Sequence, residues 1–361
     1  FGYEFQGWTT NGDTKVVFKD KAKIDDPQPG DIYDLKAVWK SAPVTVRTFE
    51  QLQNALDAAA EQGSELPVTL NVSGKITVPY GEKVEASDDP TKAMVRLTGT
   101  GTIEGYVKTG GNLDVGSVKI APWTVGSGVT AYIDENGTLH IKGNGKMKDF
   151  TEANPAPWGG VASDIKAIEV AEGVTKIGNA AFDSLNYAGT TKAHTFQGED
   201  HVLNPYAFVN ADGSATNAPA AEQFRVFKSE LGTVETVAAF YSEETLVFYD
   251  TIPWALSKGE DSLQLMTLED VRDAFREDFI ETAGEEPYSK AMQDLLGQAL
   301  EELDEAKSIY EISAVADKYI EPLEKQAEKD KSHEIEGYDI TWRILDGTLV
   351  INGEGEMPDF T

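Results

Sequence analysis

The chain says one thing twice. Gly137-Thr138-Leu139-His140-Ile141-Lys142-Gly143-Asn144-Gly145-Lys146-Met147-Lys148-Asp149-Phe150-Thr151 returns as Gly347-Thr348-Leu349-Val350-Ile351-Asn352-Gly353-Glu354-Gly355-Glu356-Met357-Pro358-Asp359-Phe360-Thr361. Across this offset of 210 residues ten of fifteen positions are identical: three Gly, both Thr, and Leu, Ile, Met, Asp and Phe. Self-similarity at a fixed offset marks an architecture of repeated units, each burying its apolar edge against a neighbour. The second copy breaks off early, so the expectation is a piece of a longer, modular protein. Each copy opens on a hairpin. Ala131–Asp134 and Thr138–Ile141 flank Asn136-Gly137, a pair that predicts a two-residue type I′ turn because both positions need φ > 0. Asp346-Gly347 supplies the other preferred pair in the second copy.

Composition narrows the classes of function. Acidic residues number 62 against 31 basic, a net charge of −31, which repels phosphate backbones and anionic membranes. Nucleic-acid binding is therefore not expected, and no apolar run is long enough for membrane insertion. The absence of Cys removes disulfides, zinc–thiolate sites, iron–sulfur clusters and thiol catalysis. Residues 1–5, Phe-Gly-Tyr-Glu-Phe, have no signal-peptide character. At 361 residues and 40% hydrophobic content the chain is expected to form several packed domains.

Six segments follow from the patterning. Residues 1–40 alternate aromatic and polar positions, as in Tyr3-Glu4-Phe5-Gln6-Gly7-Trp8 and Leu35-Lys36-Ala37-Val38-Trp39. Residues 43–122 begin with an amphipathic helix after Thr48, with Gln51 at the capping-box position and an end near Gln62-Gly63. Short Val/Ile/Thr strands follow at 68–72, 76–78, 94–97, 107–108 and 115–120. Residues 123–189 hold the first repeat copy, and 190–266 form a β-rich insert without an assignable pattern. Residues 267–332 read as three helices capped at Thr267, Ser289 and Ser308, with 19 acidic and 8 basic residues. Pro322 is expected to kink or interrupt the third. Residues 337–361 start the second copy.

Several of these runs resemble known families. Gly2-Tyr3-x-Phe5-x-Gly7-Trp8 with Leu35-x-Ala37-x-Trp39 resembles a partial Listeria–Bacteroides repeat, the internalin-type B-repeat. That resemblance implies a small β-grasp-like spacer with Tyr3, Phe5, Trp8 and Trp39 as its core. Residues 43–122 resemble the opening of a right-handed parallel β-helix capped by a helix. Ala156-Pro157-Trp158, Ile165–Val170 and Gly173-Val174-Thr175-Lys176-Ile177-Gly178-Asn179-Ala180-Ala181-Phe182 resemble a leucine-rich repeat of the BspA type. The helices resemble FIVAR-like modules of bacterial surface proteins. Together these imply a multidomain, mainly β chain with one all-α helical module.

No catalytic constellation stands out. His140 aligns with Val350, so a strand position is all that it demands. His194 and His201, with Glu199 and Asp200 nearby, lack any metal-ligand spacing, and His333 stands apart. Asp134-Glu135-Asn136 looks like the start of a calcium loop, but its counterpart Ile344-Leu345-Asp346 does not, which favours a turn. P-loop, dinucleotide and nucleophile-elbow motifs are missing. The β-helix resemblance brings Asp88, Asp89, Glu104 and Asp114 into view as lyase or hydrolase carboxylates, with Arg96 the only Arg of 48–224. No metal, cofactor or catalytic residue is assigned. The resemblances imply a non-catalytic adhesin or scaffold on the outer surface of a bacterium, binding a host protein or glycan. Trp123, Trp158 and Trp254 are candidates to stack on sugars, with core packing as the alternative for each. The rival readings are a polysaccharide-active enzyme and a purely structural stalk.

Overall fold

A computed structural model describes residues 1–10, 15–23, 34–183, 185, 194–196, 202–210, 214, 218–228 and 233–355. For 194–196, 202, 227 and 228 it describes the backbone alone. The chain divides into two compact units, residues 1–192 with 207–217 and residues 193–206 with 218–361.

The first unit begins with an antiparallel pair, β1 (Tyr3–Thr9) and β2 (Lys36–Ser41). Phe5 meets Trp8 and Trp39 edge-on at ring distances of 5.1 and 5.3 Å. Trp39 nevertheless stays half exposed. The expected four-aromatic core is therefore incomplete among the described residues, because a two-stranded ribbon covers one ring face only.

The next stretch winds as a coil. It comprises β3 (Val44–Val46), α1 (Phe49–Ala60), β4 (Val68–Val72), β5 (Lys75–Thr77), β6 (Val95–Thr98), β7 (Thr102–Glu104), β8 (Leu113–Asp114) and β9 (Lys119–Ala121). The strands from β4 onward alternate between two parallel sheets, ordered β3-β4-β6-β8 and β5-β7-β9. Stacking is in register: Val68 on Val95 on Leu113, and Ile76 on Ile103 on Ile120. Like residues thus fall over like, and Val68, Leu70, Val95, Leu97, Ile76 and Ile103 are all but fully buried. Each such side chain contributes roughly 1.5–3 kcal/mol of transfer free energy. Leu52, Ala55, Leu56 and Ala59 of α1 pack into the same core. Thr48 caps α1 by accepting from the Gln51 amide. The Gln51 carboxamide oxygen instead accepts from the Arg47 amide, one residue before the expected partner.

The repeat copy follows with β10 (Trp123–Gly126), β11 (Val129–Ile133), β12 (Thr138–Gly143), β13 (Gly145–Lys146), β14 (Ala167–Val170) and β15 (Val174–Lys176). β10, β11 and β12 are antiparallel; β14 then lies parallel to β12, and β15 parallel to β13. The turn departs from expectation. Gly137 has φ +81° but Asn136 is not in the left-handed region, and the loop holds three residues between Asp134 and Thr138. The reason is one extra residue, Glu135, which favours a type I turn closed by a left-handed Gly. Asp134 stabilises this form by accepting from the Asn136 and Thr138 amides at 2.9 and 2.8 Å.

The second unit contains β16 (His194–Phe196), β17 (Val202–Leu203), β18 (Phe224–Lys228), β19 (Thr233–Ser242), β20 (Val247–Tyr249), α2 (Ile252–Ser257) and β21 (Leu263–Thr267). Its main sheet runs β16-β18-β19-β21-β17, with β20 also on β19. Three helices follow, α3 (Leu268–Ala283), α4 (Lys290–Glu305) and α5 (Ile309–Lys329). The chain is thus mixed in secondary structure, and a mainly β description holds only in part: α2 forms inside the segment that reads as β-rich. Val271, Phe279, Met292, Leu296, Ala299, Leu303, Ile312, Tyr319 and Leu323 form the helical core, which Ala239 of β19 joins. α5 runs unbroken through Pro322, contrary to the expected interruption as far as continuity goes. Tyr319 and Leu323, buried on either side, hold the turn together despite the missing N–H.

Thr267 makes the full reciprocal cap of α3. Its hydroxyl accepts from the Asp270 amide, and the Asp270 carboxylate accepts from the Thr267 amide at 2.8 Å. Thr267→Ala is expected to cost about 1–2 kcal/mol, read as a lowered urea midpoint with an unchanged slope. An unchanged midpoint would show that the cap does not limit stability.

The chain closes on β22 (His333–Glu334), β23 (Ile340–Leu345) and β24 (Thr348–Gly353), all antiparallel. Here Asp346 and Gly347, with φ of +51° and +80°, form the two-residue turn that the sequence predicts. Both copies share a crowded glycine. A Cβ on Gly143 would lie 1.9 Å from the Gly128 carbonyl oxygen, and one on Gly353 2.0 Å from that of Asp339. The same close approach fixes the same residue type twice.

Candidate functional site

The β11–β12–β14 sheet has one buried and one outward face, because strand side chains alternate. Val129, Ala131, Ile133, Leu139, Ile141, Ile168 and Val170 point inward and are buried. Tyr132, His140, Lys142 and Glu169 take the outward positions, in register as Tyr132↔His140 and His140↔Glu169.

These side chains form a connected array. The His140 ring stacks on Tyr132 at 4.8 Å and 20°. Its Nε2 lies 3.0 Å from Asp134 Oδ2, and its Nδ1 3.3 Å from Glu169 Oε2. The second contact is off-line, leaving the buried Nδ1 without a well-formed hydrogen bond. Lys142 Nζ donates to the Tyr132 hydroxyl at 2.9 Å and sits 5.3 Å from the ring centroid. Burial raises the Asp134 pKa, yet hydrogen bonds from His140, the Thr138 amide and the Asn136 amide outweigh it and leave the carboxyl below its ordinary value. The Tyr132 hydrogen bond raises the Lys142 pKa above its usual value, so this ammonium stays charged. Both imidazole nitrogens face carboxylates, which leaves neither directed at a hydroxyl nucleophile. The face suits planar and polar recognition.

The carboxylates singled out for lyase or hydrolase chemistry do not converge. Glu104 on β7 pairs with Lys75 at 2.8 Å, whereas Asp114 on β8 pairs with Arg96 at 2.9 Å in the other sheet. Asp88 lies 3.5 Å from Lys108, and Asp89 accepts from the Thr91 amide at 2.9 Å. Among the described residues no group of three or more His, Asp or Glu is placed to hold a metal ion. Asp134 serves the turn. His201, Glu199 and Asp200 lie outside the described residues, as does the side chain of His194. His333 packs on Trp342 at 4.7 Å.

The tryptophans separate clearly. Trp158 is fully buried and donates Nε1–H to the Ala181 carbonyl at 2.8 Å. Trp123 is half-buried beside it at 6.1 Å. Of these three candidates Trp254, on α2, is the exposed one, with Tyr249 edge-on at 4.9 Å. In the second unit a cleft of about 500 Å³ lies beside the start of α5, where the Tyr310 hydroxyl donates to Asp250 Oδ2 at 2.6 Å.

The alignment of His140 with Val350 does not by itself reveal the outward array. Its sequence signal is Asp134 and His140 flanking one turn, with Tyr132 opposite His140 across the strands. Comparison with family models, with curated proteins and with solved structures finds no match for this chain. No helix among the described residues is long and apolar enough to cross a membrane.

Proposed function

We propose that this chain is a non-catalytic binding scaffold of a bacterial cell surface. The first copy acts as a BspA-type leucine-rich repeat and presents its outward sheet face to a host protein or glycan. In this reading the coil of 43–122 is a short parallel β-helix, residues 1–40 a β-grasp-like spacer and the three helices a FIVAR-like spacer. The observation that carries the reading is the Tyr132–His140–Lys142 array, flanked by Asp134 and Glu169, on an otherwise regular sheet. An aromatic plate next to charged hydrogen-bonding groups recognises sugar rings or polar peptide surfaces without chemistry.

The test is retention of the full chain on immobilised mucins, matrix proteins and polysaccharides, with released reducing ends scored in parallel. The wild-type chain is expected to be retained without release. The Tyr132→Ala/His140→Ala variant is expected to bind at least about tenfold more weakly, a loss of about 1.4 kcal/mol, with unchanged circular dichroism. Sugar release that tracks the protein would replace this reading with the polysaccharide-active one. Retention that ignores the double substitution would remove the sheet face from it.

A further inference from the structure

Beyond Ile340, which is buried like its counterpart Val129, the two copies pack by opposite faces. In the first, the cross-strand pairs Ala131↔Ile141 and Ile133↔Leu139 face the core, with Leu139 and Ile141 at 0% exposure. The equivalent pairs of the second are Trp342↔Ile351 and Ile344↔Leu349. There Ile344 is 59%, Leu349 57% and Ile351 39% exposed. The opposite face, which in the first copy bears Tyr132 and His140, is the one that packs. Arg343 and Leu345 are buried, and Arg343 Nη2 donates to the carbonyls of Glu285 and Pro287 at 3.0 and 3.1 Å. Asp346 Oδ2 accepts from the Lys290 amide at 2.7 Å, fixing the turn to the start of α4.

The edge is open as well. Among the described residues β24 ends its three-stranded sheet, whereas β12 continues into β14, with Leu139 beside Ile168 and Ile141 beside Val170. Apolar side chains kept on an open strand edge are costly to leave uncovered, since both the face and the backbone groups invite pairing. The first copy shows what accompanies this face when it is buried: β14 beside β12, and Trp158 against Trp123, which pairs with Ala131. After its Asp-Phe-Thr come Ala156, Trp158, Val161, Ile165, Ile168 and Val170, every one buried.

We propose that the Trp342–Ile344–Leu349–Ile351 face and the free edge of β24 dock a polypeptide segment of the pattern carried by residues 147–182. The occupant lays a short parallel Ile-x-Val strand against β24 and an Ala-Pro-Trp turn over the apolar face. Such a face joins this chain to a further repeat unit, whether or not the Tyr132 face binds a ligand.

The probe is a synthetic peptide of residues 147–182, added to the full chain and to a Leu349→Asp/Ile351→Asp variant. Binding to the wild-type chain is expected, weakened at least about tenfold by the two carboxylates. A second measurement covers a peptide that fails to fold: the full chain extended after Thr361 by residues 152–182, which continue the repeat in register. Amide exchange across 348–353 is expected to slow at least about tenfold in the extended chain. The proposal is overturned if the peptide does not bind and exchange is unchanged on extension. Dimerisation of the unextended chain that the double substitution abolishes would overturn it too, assigning the face to a second copy.

Discussion

Trp158→Ala is expected to destabilise the first unit by about 3–5 kcal/mol. The side chain has no measurable exposure, and it packs against Trp123 at 6.1 Å and edge-on against Phe150 at 5.8 Å. Its removal leaves a cavity that neighbouring strands cannot close, because their spacing is set by backbone hydrogen bonds. It also strips the Ala181 carbonyl of its donor in a buried place. Trp158→Phe separates the two contributions: most of the volume stays, while the lost hydrogen bond costs about 1–3 kcal/mol. Urea unfolding followed by circular dichroism measures both. An alanine variant within about 1 kcal/mol of wild type, as for a surface change, would show that the indole is not a keystone of the repeat.

A comparable loss is expected at Glu260 in the second unit. This residue is buried, and its carboxylate accepts from the hydroxyls of Ser242, of Thr245 at 2.6 Å and of Tyr249 at 2.6 Å. The three donors come from the end of β19, the following turn and β20, so one side chain gathers three backbone segments. Glu260→Ala leaves the buried Ser242 and Tyr249 hydroxyls without this acceptor and is expected to cost about 3–5 kcal/mol. The hydrogen bonds of Ser242, Thr245 and Tyr249 hold the folded carboxyl below its ordinary value of 4.5, against the smaller opposing effect of burial. A group whose folded pKa is depressed stabilises fully above its unfolded pKa and loses that contribution as pH falls through the folded value. The stability gap between wild type and Glu260→Gln is therefore expected to be larger at pH 7 than at pH 3. Urea midpoints at the two pH values decide it. A gap that does not narrow in acid would mean that the hydroxyls are satisfied equally well by a neutral amide.

Neither residue was visible as a keystone in the sequence, and the two cases differ. Trp158 sits in a motif, Ala-Pro-Trp, that already set it apart, with sugar stacking and core packing as competing roles. Burial decides for packing. Glu260 is one of 62 acidic residues, and its three donors lie 11 to 18 positions upstream, beyond any local pattern. The carboxylates singled out for lyase chemistry are separated for a related reason: Glu104 and Asp114 are near in sequence, but the coil sends alternate strands to different sheets.

Local rules carried well wherever the physics is local. Thr48, Thr267, Ser289 and Ser308 cap the helices that follow them, since a cap needs only a hydroxyl and an amide three residues on. The coil strands at 68–72, 76–78 and 94–97 were legible because Val and Ile recur between turn residues, whereas Thr102–Glu104 was not, and Val107 of the expected strand 107–108 makes an isolated bridge to Val84. Asp346-Gly347 makes its type I′ turn, whereas one inserted residue changed the turn at Asn136-Gly137. The sequence by itself determined the repeat, the caps, the alternation of strand faces and the acidity. Only the tertiary structure decided which of two faces each hairpin buries. Alternation makes both faces available, and burial goes to whichever neighbour supplies the larger complementary surface: a parallel strand with Trp158 in the first copy, the start of α4 in the second.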